Sequence, residues 1–143
     1  MKNKFFFILI FISLNLINNL LANEIIIESK DISILENGNK ILSGKGIANS
    51  IEDSLTIKAG KFDYNKNLSI LIATEKAVAN MTKKNIIMNA DKFIYNKKLS
   101  TLHAIGNVNV YDSINNISII SKKIFYYINE NKIESLSPSE IKD

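Results

Sequence analysis

The feature that most constrains this chain is that part of it is written twice. Residues 55–79 (LTIKAGKFDYNKNLSILIATEKAVA) align without a gap to residues 86–110 (IIMNADKFIYNKKLSTLHAIGNVNV), at a spacing of about 31 residues. Ala59, Lys61, Phe62, Tyr64, Asn65, Leu71 and Ala73 recur as Ala90, Lys92, Phe93, Tyr95, Asn96, Leu102 and Ala104. A weaker copy follows at the same spacing, in Ile117, Ile119, Ser121, Lys123, Ile124 and Tyr126. A degenerate one precedes, with Ile32, Ile34 and the series Leu42, Gly44, Gly46, Ala48. A unit this short cannot bury an apolar face alone, so neighbouring copies must stack.

Inside each copy the period is two. Leu55, Ile57 and Ala59 alternate with polar residues, as do Ile86, Met88 and Ala90. Alternation turns one face of a strand to a core and the other to water. The parity then slips by one, to Phe62/Tyr64, Phe93/Tyr95 and Ile124/Tyr126. A slip of one residue flips the faces, so a bulge or corner is expected near Gly60, Asp91 and Lys122. A polar turn follows, and a third strand is expected from Leu68 or Leu99. Asn37-Gly38 between alternating segments predicts a hairpin, because both residues tolerate positive φ. The core region has no helical period. The expected class is all-β.

The 143 residues suffice for one ordinary domain. The formal charge of +4 is spread as lysine among aspartate and glutamate, a solvated surface that does not indicate nucleic acid. Without cysteine there is no disulfide or thiolate chemistry, and His103 is the single histidine. Asp53, Asp63, Asp91 and Asp112 are scattered over turns and strand ends, with no paired-carboxylate spacing. No catalytic residue, metal or cofactor is expected, and the chain is not read as an enzyme. Residues 1–22 read as a secretory signal peptide. Lys2 and Lys4 precede the apolar run 5–14, and Ala22 offers a cleavage point. An uncleaved anchor is the alternative. Either reading exports residues 23–136, the expected β-domain, and leaves 137–143 as a tail or the start of a further region.

Two segments carry a family resemblance. Ala90-Asp91-Lys92-Phe93-Ile94-Tyr95-Asn96 follows the pattern A-D-K-hydrophobic-x-Y-(D/N), and Ala59-Gly60-Lys61-Phe62-Asp63-Tyr64-Asn65 follows it with Gly60 at the Asp position. His103-Ala104-Ile105-Gly106-Asn107-Val108-Asn109-Val110 matches its second half, A-x-G-N-V-x-V. This resembles the OstA-like domain of bacterial lipopolysaccharide transport, over residues 30–134. The chain departs from the pattern at Glu75, where glycine is usual, and at Tyr127 in the third copy.

The resemblance implies an antiparallel β-jelly-roll shaped like an open taco, with an apolar groove for the acyl chains of lipid A. It implies a periplasmic location, passage of lipid toward the outer membrane, and edge-to-edge partnership with other OstA-like domains or further copies of the chain. On that reading the groove is lined by Leu42, Ile57, Ala59, Phe62, Leu71, Ala73, Met88, Ala90, Phe93, Leu102, Ala104, Val108 and Val110. Lys61, Lys92 and Lys123 are candidate rim residues for lipid phosphates. Small residues on the inward face are expected to leave room between bulky ones. The same residues also fit the N-terminal domain of an outer-membrane assembly protein. Readings of another class are a secreted polysaccharide-binding β-helix and a structural surface protein.

Overall fold

The computed structural model describes residues 24–142. They form one continuous antiparallel sheet that does not close into a barrel. Its strands are β1 (Ile25–Ser29), β2 (Ile32–Leu35), β3 (Lys40–Ser43), β4 (Gly46–Ser50), β5 (Leu55–Ala59), β6 (Lys61–Asn65), β7 (Ile70–Met81), β8 (Ile86–Asn96), β9 (Thr101–Asp112), β10 (Ile117–Tyr127), β11 (Lys132–Ser135) and β12 (Glu140–Lys142). Strands β7 to β10 are 11 or 12 residues long, and each changes partners or register partway along. The C-terminal part of β7 pairs with β5, while its N-terminal part pairs with β6. In the same way β10 pairs with β12 through its first half and with β11 through its second. The sheet is therefore creased into two layers. One runs β1-β4-β5-β7-β8-β9-β10-β12. The other runs β2-β3-β6 and then through the opposite halves of the same long strands to β11.

The crease lies where the alternation slips. The ladder is irregular between Thr74 and Ala77, between Asn89 and Lys92, and between Ser121 and Lys123. Gly60 separates β5 from β6, while the corresponding Asp91 lies within an unbroken β8. The bends expected at Gly60, Asp91 and Lys122 are thus present. The returning strands bend too, at Glu75-Lys76 (φ 67° and 57°) and Gly106-Asn107 (φ 77° and 46°). The hairpin tips repeat with the sequence. Ser54, Asn85 and Asn116 take positive φ at the outer end of the first layer, and Ser69, Ser100 and Asn131 at that of the second. Asn65 and Asn96 recur because each Oδ1 accepts the backbone N–H of Leu68 or Leu99, closing the turn.

The inward rows explain the repeat. Phe62, Ala73, Phe93, Ala104 and Ile124 are cross-strand neighbours, one to the next, and all are buried. Ala48, Ile57, Ala79, Met88 and Val110 form a matching row in the other layer. In the first row large and small residues alternate across the strands, so each bulky side chain there has a small neighbour to lie over. That is how a sheet face reaches interior packing density.

Several expectations need correction. The third strand of each copy begins at Ile70 and Thr101, so Leu68 and Leu99 lie in turns, 57% and 67% exposed. The Asn37-Gly38 hairpin is present, but its tip is a single 3-10 turn in which Glu36, Asn37 and Gly38 all have positive φ. Part of the stretch read as a tail rejoins the sheet: β12 pairs with β10, and Ser137 Oγ accepts the N–H groups of Lys122 and Lys123. Among the described residues every strand pairing is antiparallel, which excludes a parallel β-helix there. The signal segment lies outside the described residues.

Candidate functional site

The candidate site is the space between the two layers. Of the thirteen residues expected to line it, twelve face it: Ile57, Ala59, Phe62, Leu71, Ala73, Met88, Ala90, Phe93, Leu102, Ala104, Val108 and Val110 are 0–6% exposed and belong to one apolar cluster. Leu42 does not. It stands opposite Ser33 and Asp63, on the outer face, while its neighbours Ile41 and Ser43 stand opposite Tyr64 and Phe62. The chain breaks strand between Ser43 and Gly46, so the Leu42-Gly44-Gly46-Ala48 series does not share one face.

The interior is filled where these residues meet. Ala73 and Ala104 lie beside phenylalanine in the same row, and nothing in the row is more than 1% exposed. Gly46 and Gly106 are crowded rather than roomy. A Cβ on Gly46 would lie 2.2 Å from the Glu28 carbonyl oxygen, and one on Gly106 2.3 Å from Asp91 Oδ2. Open space is found at the crease, in a cleft of about 1040 Å³ where β1, β4 and β5 reach it. Ala59 alone of the expected lining residues borders that cleft. The inner face is also uncovered on β2, where Ile32 and Ile34 pair with Ser43 and Ile41 yet remain 46% and 65% exposed.

Lys61, Lys92 and Lys123 do align. Lys61 pairs with Thr74, Thr74 with Lys92, Lys92 with Ile105, and Ile105 with Lys123. The row lies on the outer face beside the crease, because each lysine precedes an inward residue, and Lys61 meets Glu75 at 3.7 Å. It is therefore not placed on the free margin of the layers. His103 shares that outer face. Its ring stacks on Phe125 with centroids 4.9 Å apart, and its Nε2 is buried without a hydrogen-bond partner. Burial, and then the charges of Lys123 and Lys92, hold its pKa below the usual imidazole value.

The recurrent tyrosines point inward, and all three are buried. Burial, and then the negative charge of Glu24, raises the pKa of Tyr64. Burial and the charge of Asp112 push Tyr126 up to about 12, and its hydroxyl donates to Asn131 Oδ1 at 2.7 Å. Tyr95 reaches furthest across. From the second layer its hydroxyl donates to Asp53 Oδ2 and lies 2.8 Å from Ser50 Oγ, both on the β4–β5 tip of the first layer. Burial, then the bond to Asp53, raises its pKa. Beside it Ser100 Oγ donates to Asp53 Oδ1 at 3.0 Å, and Lys97 Nζ meets Glu52 Oε2 at 3.1 Å.

This polar cluster was not anticipated from the residues. Its trace in the sequence is the tip Ile51-Glu52-Asp53-Ser54, which carries two adjacent acids where the later tips read Thr82-Lys83-Lys84-Asn85 and Ser113-Ile114-Asn115-Asn116. Which basic or hydroxyl groups those acids meet is set by how the layers cross.

No protein-family profile matches the chain. No curated protein sequence matches it either. A solved structure does match: LptH, described as the LptA-homologous periplasmic component of the conserved lipopolysaccharide transport device from Pseudomonas aeruginosa. The superposition has a TM-score of 0.72 at 9% identity and covers 85% of this chain and 95% of that one. At so low an identity the likeness is one of fold. The chain, which resembles OstA-like domains in its repeats, thus has the open antiparallel fold of a periplasmic lipopolysaccharide-transport component.

Proposed function

We propose that this protein carries lipopolysaccharide, or a lipid of similar build, through the periplasm toward the outer membrane. Acyl chains would lie between the layers while the sugars stay in water. The observation that carries this reading is a predominantly apolar face lining both layers of a sheet whose ends, among the described residues, are unpaired. A saturated chain of about a dozen carbons gains on the order of 10 kcal/mol on leaving water, at ~0.8 kcal/mol per methylene. Carriage needs such a face and no bond chemistry.

The interior side chains fill the space between the layers, so the layers must part to admit lipid. Parting trades contacts between side chains for contacts with acyl chains of similar polarity. Among the described residues, β1 and β2 at one end, and β11 and β12 at the other, leave backbone groups available for strand addition. We assign these edges to neighbouring domains of the same fold or to further copies of this chain.

Photocrosslinking amino acids placed at Ala104, Val108, Asn107 and Asn109 in a lipopolysaccharide-producing host test the reading. Adducts to lipopolysaccharide are expected at Ala104 and Val108 and few at Asn107 and Asn109. Equal labelling of all four would instead favour a structural surface protein that meets lipid from outside.

A further inference from the structure

The structure assigns to Asp53, Tyr95, Ser100 and the Lys97–Glu52 pair the role of a latch that holds the free margins of the two layers together and so governs access to the interior. Access by lipid rests on the carrier function proposed above; the latch itself does not.

The geometry is specific. β4 and β5 leave the crease at Gly46 and Ala59 and turn at 51–54. β8 and β9 leave it near Asp91 and Gly106 and turn at 97–100. The two tips therefore lie at the far ends of opposite layers, and the bonds between them close the fold on the side away from the crease. They join residues 42 to 47 positions apart in the chain.

The chemistry fits a closure that can reopen. Ser50, Lys97 and Ser100 are buried in an interior that is otherwise mostly apolar. The Lys97 side chain is 5% exposed, against 58% for Glu52. Burying charge and hydroxyl groups is costly, and an apolar contact of the same volume would hold the margins at least as firmly. A polar contact differs in what happens on opening. Its groups regain water, so the open state is penalised less than one that exposes leucine or phenylalanine. The tips already carry the apolar residues Ile51 and Leu99, and both face outward, 59% and 67% exposed.

The chain has no cysteine, so labels can be placed freely. Spin labels on Ile51→Cys and Leu99→Cys would report the separation of the tips, and an uncharged naphthylamine probe would report access to the apolar interior. Tyr95→Phe keeps the ring and removes the hydroxyl, and Asp53→Ala removes its acceptor. Each is expected to raise the population with separated tips about tenfold or more, and probe access with it, at an unchanged circular dichroism spectrum. A short cleavable crosslink between Glu52→Cys and Lys97→Cys should block probe access, and cutting it should restore access. Unchanged tip distances in both Tyr95→Phe and Asp53→Ala, or undiminished access in the crosslinked protein, would overturn the latch. Purified lipid A added to the same variants separates the two ideas. Tips that part and admit the probe, in a protein that retains no lipid A, leave the latch standing and remove the carrier.

Discussion

At the crease the two clear repeats meet one steric problem and solve it from opposite sides. A sheet that folds sharply brings two strands too close for a side chain on each. In residues 55–79 the glycine is on the first strand: a Cβ on Gly60 would lie 2.7 Å from Glu75 Cβ, and Gly60 N–H is shared between the Thr74 and Glu75 carbonyls. In residues 86–110 the glycine is on the returning strand, where Gly106 gives its space to Asp91. Each corner has one acid and one glycine, with their places exchanged. This accounts for the departure from the family pattern at Glu75. That residue adopts φ 67°, close to the 77° of Gly106, and Gly60 across from it makes the room. The earlier corner, Asp31 with Gly44, is looser: a Cβ on Gly44 would meet Asp31 only at 3.6 Å, an ordinary contact.

These corners can be ranked by experiment. Gly106→Ala should do most damage, because it combines a left-handed backbone with a Cβ driven into Asp91. A loss of about 2–4 kcal/mol is expected in denaturant unfolding. A loss below about 1 kcal/mol would show that the corner relaxes and that the acid–glycine pairing is incidental. Gly60→Ala has no such backbone strain and should cost about 1–3 kcal/mol through overpacking.

The exchange itself is tested by Gly60→Asp combined with Glu75→Gly, which rebuilds the first corner in the manner of the second. The pair should be more stable than the sum of its single changes by about 1 kcal/mol or more. Strict additivity would mean that the two residues do not share one space.

His103 sharpens the comparison away from the crease, since its counterpart in the other copy is Ile72. Its pKa is lowered in the fold, so the unfolded chain binds the proton more readily. Its contribution is therefore fully present above the unfolded value of ~6.5 and is lost as pH falls below it. His103→Ile should flatten the pH dependence of the melting temperature between about pH 7 and 5. An unaltered slope would place the dependence on other groups. The smallest effect is expected of Gly44→Ala, within ~0.5 kcal/mol or slightly stabilising, because the unfolded chain loses freedom and nothing is displaced.

Alternation and its slips made the all-β class, the bends and twelve of the thirteen inward residues legible in the sequence, because parity on a strand is a local property. Leu42 escaped that logic. The strand breaks at Gly44-Lys45, and counting parity across a break assigns the wrong face. The tail was misjudged for a related reason. β12 is held by backbone pairing and by Ser137, and leaves no periodic apolar trace.

What the amino-acid sequence determined by itself is the strand pattern: where each face is oily, where it flips and where each turn reverses it. These follow from side-chain alternation and from the φ that glycine, asparagine and serine tolerate over a few residues. Only the tertiary structure decided how far the layers close. Whether alanine beside phenylalanine leaves a gap or a filled row, and whether Asp53 finds Tyr95, depend on the angle at which two halves of one sheet cross. Contacts between residues more than forty positions apart set that angle, and no local pattern encodes it.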